Sequence, residues 1–160
     1  MLNKHTLGSW IRRFLMEYIV RERNLSRNTQ TSYRDTLALL LPFVAGRAKK
    51  KIDQLNIQDL SADAVRLFLH YLEQERNCSI STRNTRLAAI HAFAYFVAEH
   101  GLEHLGWCTE IRAIPFKKST KTPATYLDKF EMDALLNVPD RNSFQGARDY
   151  LMLLFLYNTG

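Results

Sequence analysis

The chain has 160 residues, enough for one domain or for one domain with part of another. Hydrophobic residues make up 46% of it and charged residues 24%, a composition that argues for a packed core and against disorder. Lys and Arg number 22 against 16 Asp and Glu, and the formal charge of +6 favours an anionic partner, most simply nucleic acid. Two cysteines, Cys78 and Cys108, give no disulfide framework and suit a reducing, cytoplasmic setting. The first residues lack the apolar run of a signal peptide, and the longest apolar run, 150–157, is too short to span a bilayer.

In chain order, Leu7, Ile11, Phe14 and Tyr18 form one helical stripe, with Arg12, Arg13 and Glu17 turned away. Asn24, Leu25 and Ser26 break it. A second helix, capped around residues 26–28, carries Tyr33, Leu37, Leu40 and Val44, and Pro42 is expected to bend or end it. Residues 46–51 form a basic turn and 52–60 a connector. Ser61 caps a third helix, on which Val65, Phe68, Leu69 and Leu72 fall at i, i+3, i+4 and i+7. After a turn at 77–80, residues 81–96 open with Ser81, Thr82 and Asn84, which are cap formers, and with Arg83 and Arg86. The same stretch then becomes a core stripe of Leu87, Ile90, Ala94 and Val97, flanked by Phe93 and Phe96. Residues 1–108 thus predict an all-α bundle of four amphipathic helices.

Arg27-Asn28-Thr29 recurs as Arg83-Asn84-Thr85, each near the start of a helix. Two readings stand at this point. The repeat is a pair of ordinary helix caps with solvated arginines, or a pair of cationic, donor-rich helix ends suited to phosphates.

Residues 109–126 hold two prolines and several lysines and threonines with little periodicity, and predict a basic linker. Asp128 with Glu131 forms a capping box for a short helix over 129–137. Residues 147–157 are apolar nearly all round, which predicts burial on several faces. They read as the opening helices of an incomplete second domain, 127–160. His100, His104 and Cys108 share a spacing of four, but Gly101 and Gly106 interrupt the helix that would align them, and a metal site is not expected. No phosphate loop, dinucleotide fingerprint or nucleophile elbow is present, and no cofactor is expected. His91, beside the apolar stripe, reads as packed or solvated.

Taken together, these features resemble the tyrosine recombinase (phage integrase) family. The resemblance rests on Leu25-Ser26-x-Asn28-Thr29-x-x-x-Tyr33-x-x-x-Leu37 and Ser81-Thr82-x-Asn84-x-x-Leu87-x-x-Ile90-x-x-Phe93. It continues through Pro115-x-Lys117, Tyr126-Leu127-x-x-x-Glu131 and Arg148-Asp149-Tyr150-x-x-x-x-Phe155-x-Tyr157-Asn158-Thr159-Gly160. His91 departs from it, standing where the family often has arginine.

The resemblance implies a SAM-like core-binding domain, a four-helix orthogonal bundle, that clamps duplex DNA together with a catalytic domain. It implies covalent 3′-phosphotyrosyl chemistry that needs neither metal nor cofactor. In the family the first catalytic arginine follows Thr-Gly by one residue, so a match at Thr159-Gly160 implies that this chain stops short of the catalytic residues and does not cut DNA. The expected contacts to DNA are Arg27, Asn28, Thr29 and Arg34 on the second helix, Arg83, Asn84 and Arg86 on the fourth, and Lys117, Lys118 and Lys121 on the linker. The expected partners are double-stranded DNA and other recombinase protomers on DNA, with no membrane and no small-molecule substrate. An alternative reading makes the chain a protein-interaction module assembling with full-length protomers, or an inactive relic.

Overall fold

The structure is a computed structural model that describes residues 6–118 and 126–159. The chain divides into two compact units, residues 1–119 and 120–160. Among the described residues the secondary structure is helical, apart from one isolated bridge between Thr6 and Asn56.

The first unit contains α1 (Leu7–Arg13), continued without a break by a π-helical segment, Phe14–Glu22. α2 spans Arg27–Ala48, α3 spans Ala62–Gln74 and α4 spans Ile80–His100. A further helix, α5, spans Leu105–Arg112. The segment between α2 and α3 makes two short 3-10 turns that bury Leu55, Ile57 and Leu60.

Phe14 is the centre of the core. It is fully buried, stacks on Tyr18 and Tyr33, and meets Phe93 and Phe96 on α4 at 5.5 Å each. Removing a ring from such a position costs about 3–5 kcal/mol. Leu37, Leu40 and Val44 from α2, the four predicted residues of α3, and Leu87, Ile90, Ala94 and Val97 from α4 are all buried around it. The spacings read from the sequence therefore place the core of these three helices.

Four local features differ from expectation. The wide turn of the π-segment, seen in the Arg23 N–H bond to the Tyr18 carbonyl, brings Ile19 to the core five residues after Phe14 and leaves Tyr18 half-buried. α2 does not end at Pro42 but continues past it to Ala48. The proline and Ala38, whose carbonyl it leaves unbonded, are both exposed, so water can satisfy that carbonyl while Leu40 and Val44 hold the opposite face. The helix ends only at Lys49, in the left-handed region at φ 51°. The cap of α4 is Ser79 rather than Ser81, and Ile80 is already helical.

Finally, α5 takes in Thr109 to Arg112, which sequence composition gives to the linker, and buries Cys108 and Ile111, with Ile114 buried just beyond its end. Trp107 anchors it by donating from Nε1 to the Leu60 carbonyl at 2.6 Å. Three apolar positions between glycines and a proline are too few to show as a periodic stripe.

The second unit is a pair of helices, α6 (Lys129–Asn137) and α7 (Phe144–Thr159). The capping box closes as predicted: Asp128 Oδ1 accepts from Glu131 N–H at 2.8 Å and Glu131 Oε2 accepts from Asp128 N–H at 2.9 Å. Gly146 is required where the turn crosses α7, since a Cβ there would lie 2.0 Å from the Asp140 carbonyl oxygen. α7 is longer at both ends than the apolar run suggests, and much of its apolar surface is exposed. Leu151, Met152, Phe155 and Leu156 are each more than half exposed, and with Phe144, Ala147 and Arg148 they line an apolar groove.

Candidate nucleic-acid interface

The helix starts of α2 and α4 are built alike. Ser26 Oγ accepts from Thr29 N–H at 3.3 Å and Ser79 Oγ accepts from Thr82 N–H at 3.2 Å. In each, the serine and threonine hydroxyls also bond to one another, at 3.0 and 3.1 Å. The true structural repeat is thus Ser-x-x-Thr at 26–29 and 79–82. The Arg-Asn-Thr repeat is out of register with it: Arg27 is the first residue of α2, whereas Arg83 is the fourth residue of α4. The serine caps also occupy one of the free N–H groups that each helix start would offer to an anion.

Between these starts lies a polar groove of about 370 Å³, lined by Asn28, Thr31, Ser32 and Asp35 from α2 and by Thr82, Thr85 and Arg86 from α4. Asn28, Thr31, Ser32 and Asp35 follow i, i+3, i+4 and i+7, the polar face of α2 opposite its core stripe. That periodicity was available in the sequence. Arg27 and Arg34, about two turns of helix apart, lie off this row and are exposed. No acid is paired with Arg27 among the described residues. Arg34 bonds its neighbour Asp35 through Nε and Nη2 at 3.1 and 3.0 Å while its side chain stays 65% exposed.

The residues expected on α4 are engaged inside the protein. Arg86 Nη1 donates to the Ser32 carbonyl at 3.3 Å and to Thr36 Oγ1 at 3.1 Å, tying α4 to α2. Thr36 is fully buried and turns its own hydroxyl to the Ser32 carbonyl. Arg83 is buried. Its Nη1 donates to the Pro115 carbonyl and to Asn84 Oδ1, both at 3.0 Å, and its Nε lies 3.6 Å from Glu73 on α3. Burial lowers the Arg83 pKa, and Glu73 partly offsets this.

Asn84 grips the backbone of Lys117 twice, Nδ2 donating to its carbonyl at 2.7 Å and Oδ1 accepting its N–H at 3.1 Å. Lys117 Nζ reaches the same Glu73 at 2.6 Å. Arg83, Asn84, Lys117 and Glu73 therefore form one clasp that fastens the segment leaving α5 onto α3 and α4. Glu73 was missed in the sequence, although it directly follows Leu72 and stands four residues after Leu69 on a core stripe, a position where an acid calls for a partner. Lys118 is exposed, and Lys121 lies outside the described residues, as do the rest of 119–125 and Gly160.

His91, His100 and His104 serve packing. His91 Nε2 bonds the Ile111 carbonyl at 3.1 Å and its ring meets Phe116 edge-on. Burial is the main cause of its lowered pKa, with Arg112 and Arg83 adding to it and the Ile111 bond opposing it, so the neutral ring donates from Nε2. His100 bonds the Phe96 carbonyl through Nδ1 at 2.8 Å, and His104 packs edge-on against Trp10. Among the described residues no group of three or more His, Cys, Asp or Glu is placed to hold a metal ion. No described helix is long and apolar enough to cross a membrane.

Residues 11–101 match the family described as "Phage integrase, N-terminal SAM-like domain". A proposed integrase/recombinase of Sinorhizobium fredii, y4rC, is 36% identical over 160 residues, covering 99% of this chain and 48% of the relative. A second from the same organism, y4rD, is 39% identical over 154 residues, covering 96% of this chain and 53% of the relative. The tyrosine recombinase XerC of Roseiflexus sp. is 29% identical over 154 residues, covering 91% of this chain and 44% of the relative. The chain thus spans about half the length of these relatives. No solved structure matches it.

Proposed function

The chain belongs to the phage integrase family of tyrosine recombinases, and from that premise we infer that it is the duplex-DNA-binding portion of a site-specific recombinase. The observation that carries this reading is the polar groove between the starts of α2 and α4, with exposed Arg27 and Arg34 beside it. Cations at the rim suit phosphates, and the hydroxyls and amide of the lining suit base edges. Lys118 adds a further exposed cation on the segment after α5. Arg83, Asn84 and Lys117 serve this binding indirectly, by fixing where that segment leaves the bundle. A cytoplasmic location follows from a DNA partner.

Strand cleavage is not expected of these 160 residues by themselves. The resemblance puts the catalytic arginine and the tyrosine nucleophile after Gly160. Recombination by the whole family member would join this binding portion to that chemistry.

The test is binding to duplex DNA over a salt series. Each neutralised phosphate contributes about −0.9 to the slope of log affinity against log salt, so Arg27, Arg34 and Lys118 together give a slope of about −3. A folded chain that fails to bind DNA at low salt overturns the reading. The exposed apolar face of α7 favours a second reading, in which the chain also pairs with a polypeptide such as another recombinase protomer. Sedimentation of the chain with and without DNA tests it, and a monomer under both conditions counts against it.

A further inference from the structure

Asp35 is the one acid among the residues lining the groove between α2 and α4. The one cation in the lining, Arg86, turns its Nη1 inward to Ser32 and Thr36. The groove therefore presents hydroxyls, one amide and one carboxylate. A phosphate seated there would face that carboxylate, whereas the exposed Arg27 and Arg34 stand off the row where phosphates are welcome.

Arg34 grips only one carboxylate oxygen, Oδ1, through two nitrogens. Both donors converge on that oxygen and leave the other one facing away from the pair. No described side chain bonds Oδ2, and the Asp35 side chain is 46% exposed. From Asn28 to Asp35 the row rises about 10.5 Å along the helix, the length of about three base-pair steps.

Resting on the DNA-binding reading, we propose that Asp35 is a specificity-determining residue whose free carboxylate oxygen accepts a hydrogen bond from the exocyclic amino group of a cytosine or adenine in the major groove. Guanine and thymine present a carbonyl acceptor, O6 or O4, in place of that amino group, and a carboxylate repels it. Arg34 acts through Asp35 as its positioning residue, in addition to facing the backbone.

The experiment is selection of a duplex pool with a randomised centre by the full 160-residue chain, followed by sequencing of the bound fraction. The expected result is one position enriched in cytosine or adenine, at which a guanine or thymine replacement weakens binding roughly five- to hundredfold. Asp35→Ala flattens that position alone and raises affinity for unmatched duplexes, because it removes a negative charge near the backbone. Asp35→Asn, which keeps the shape, moves the preference toward adenine and keeps the test open if the alanine variant fails to fold. Arg27→Ala weakens all sequences alike.

Unchanged base frequencies in both Asp35 variants overturn the proposal. So does wild-type binding without any base preference, which leaves DNA binding itself standing. Failure of the folded wild type to bind any duplex overturns the DNA-binding reading and this inference with it.

Discussion

Arg83→Met separates a structural arginine from a DNA-binding one. The side chain is 7% exposed and donates from Nη1 to the Pro115 carbonyl and to Asn84 Oδ1. Two hydrogen bonds from a charged donor at about 1.5 kcal/mol each give about 3 kcal/mol. Methionine fills most of the same volume and returns about 1 kcal/mol of apolar contact. Glu73 keeps Lys117 at 2.6 Å, so the acid is not stranded by the change. The expected net loss is about 2 kcal/mol.

Urea unfolding followed by tryptophan fluorescence reads this directly, because both tryptophans, Trp10 and Trp107, lie in the first unit. The paired control is Arg27→Ala. It should change stability by less than about 0.5 kcal/mol and flatten the salt dependence of DNA binding by about one phosphate. A stable Arg83→Met protein that has lost DNA affinity would refute the clasp and return Arg83 to the DNA surface.

Pro42→Ala restores a backbone donor on an exposed face of α2 and should stabilise the first unit by about 1–3 kcal/mol, read as a higher urea midpoint; a lower midpoint would show that the proline is held by something other than its exposure. His91 has a lowered pKa in the folded protein, so the unfolded chain binds the proton more readily. Its stabilising contribution is complete above about pH 6.5 and is lost as pH falls through the depressed folded value. His91→Gln should therefore reduce the acid-side loss seen in the wild type, and equal pH profiles would argue against this role. A chain ending at Thr125 lacks the exposed apolar face of α7 and should be more soluble and less prone to associate, as light scattering would show; unchanged association would mean that α7 is not its cause.

The core was legible because each of α2, α3 and α4 repeats its apolar residues at helical spacing over several turns. Ser61 and the box at Asp128 and Glu131 were legible as well, since one local bond defines the first and two reciprocal local bonds the second. What escaped was set by contacts distant in sequence. Ser79, Ser81 and Thr82 are all competent caps, and the choice of Ser79 shifts the start of α4 without any change in its buried face. The π-segment alters the period of the chain rather than its composition, so Ile19 looked off-stripe. The site residues were hardest. Arginine on a helix start has the same local signature whether it meets solvent, as Arg27 does, or Glu73 and Pro115, as Arg83 does.

Asn84 holds Lys117 by polarity as well as by position. Its amide offers an acceptor and a donor to the N–H and C=O of a single residue, as a neighbouring strand would. Aspartate has the same shape but would set a carboxylate oxygen against that carbonyl. The contact also selects one register: sliding the chain by a residue turns those backbone groups away. One residue inserted between Ile114 and Pro115 would therefore break the clasp, whereas the same insertion after Lys118 would leave it whole. The first insertion thereby marks Pro115 to Lys117 as part of the bundle.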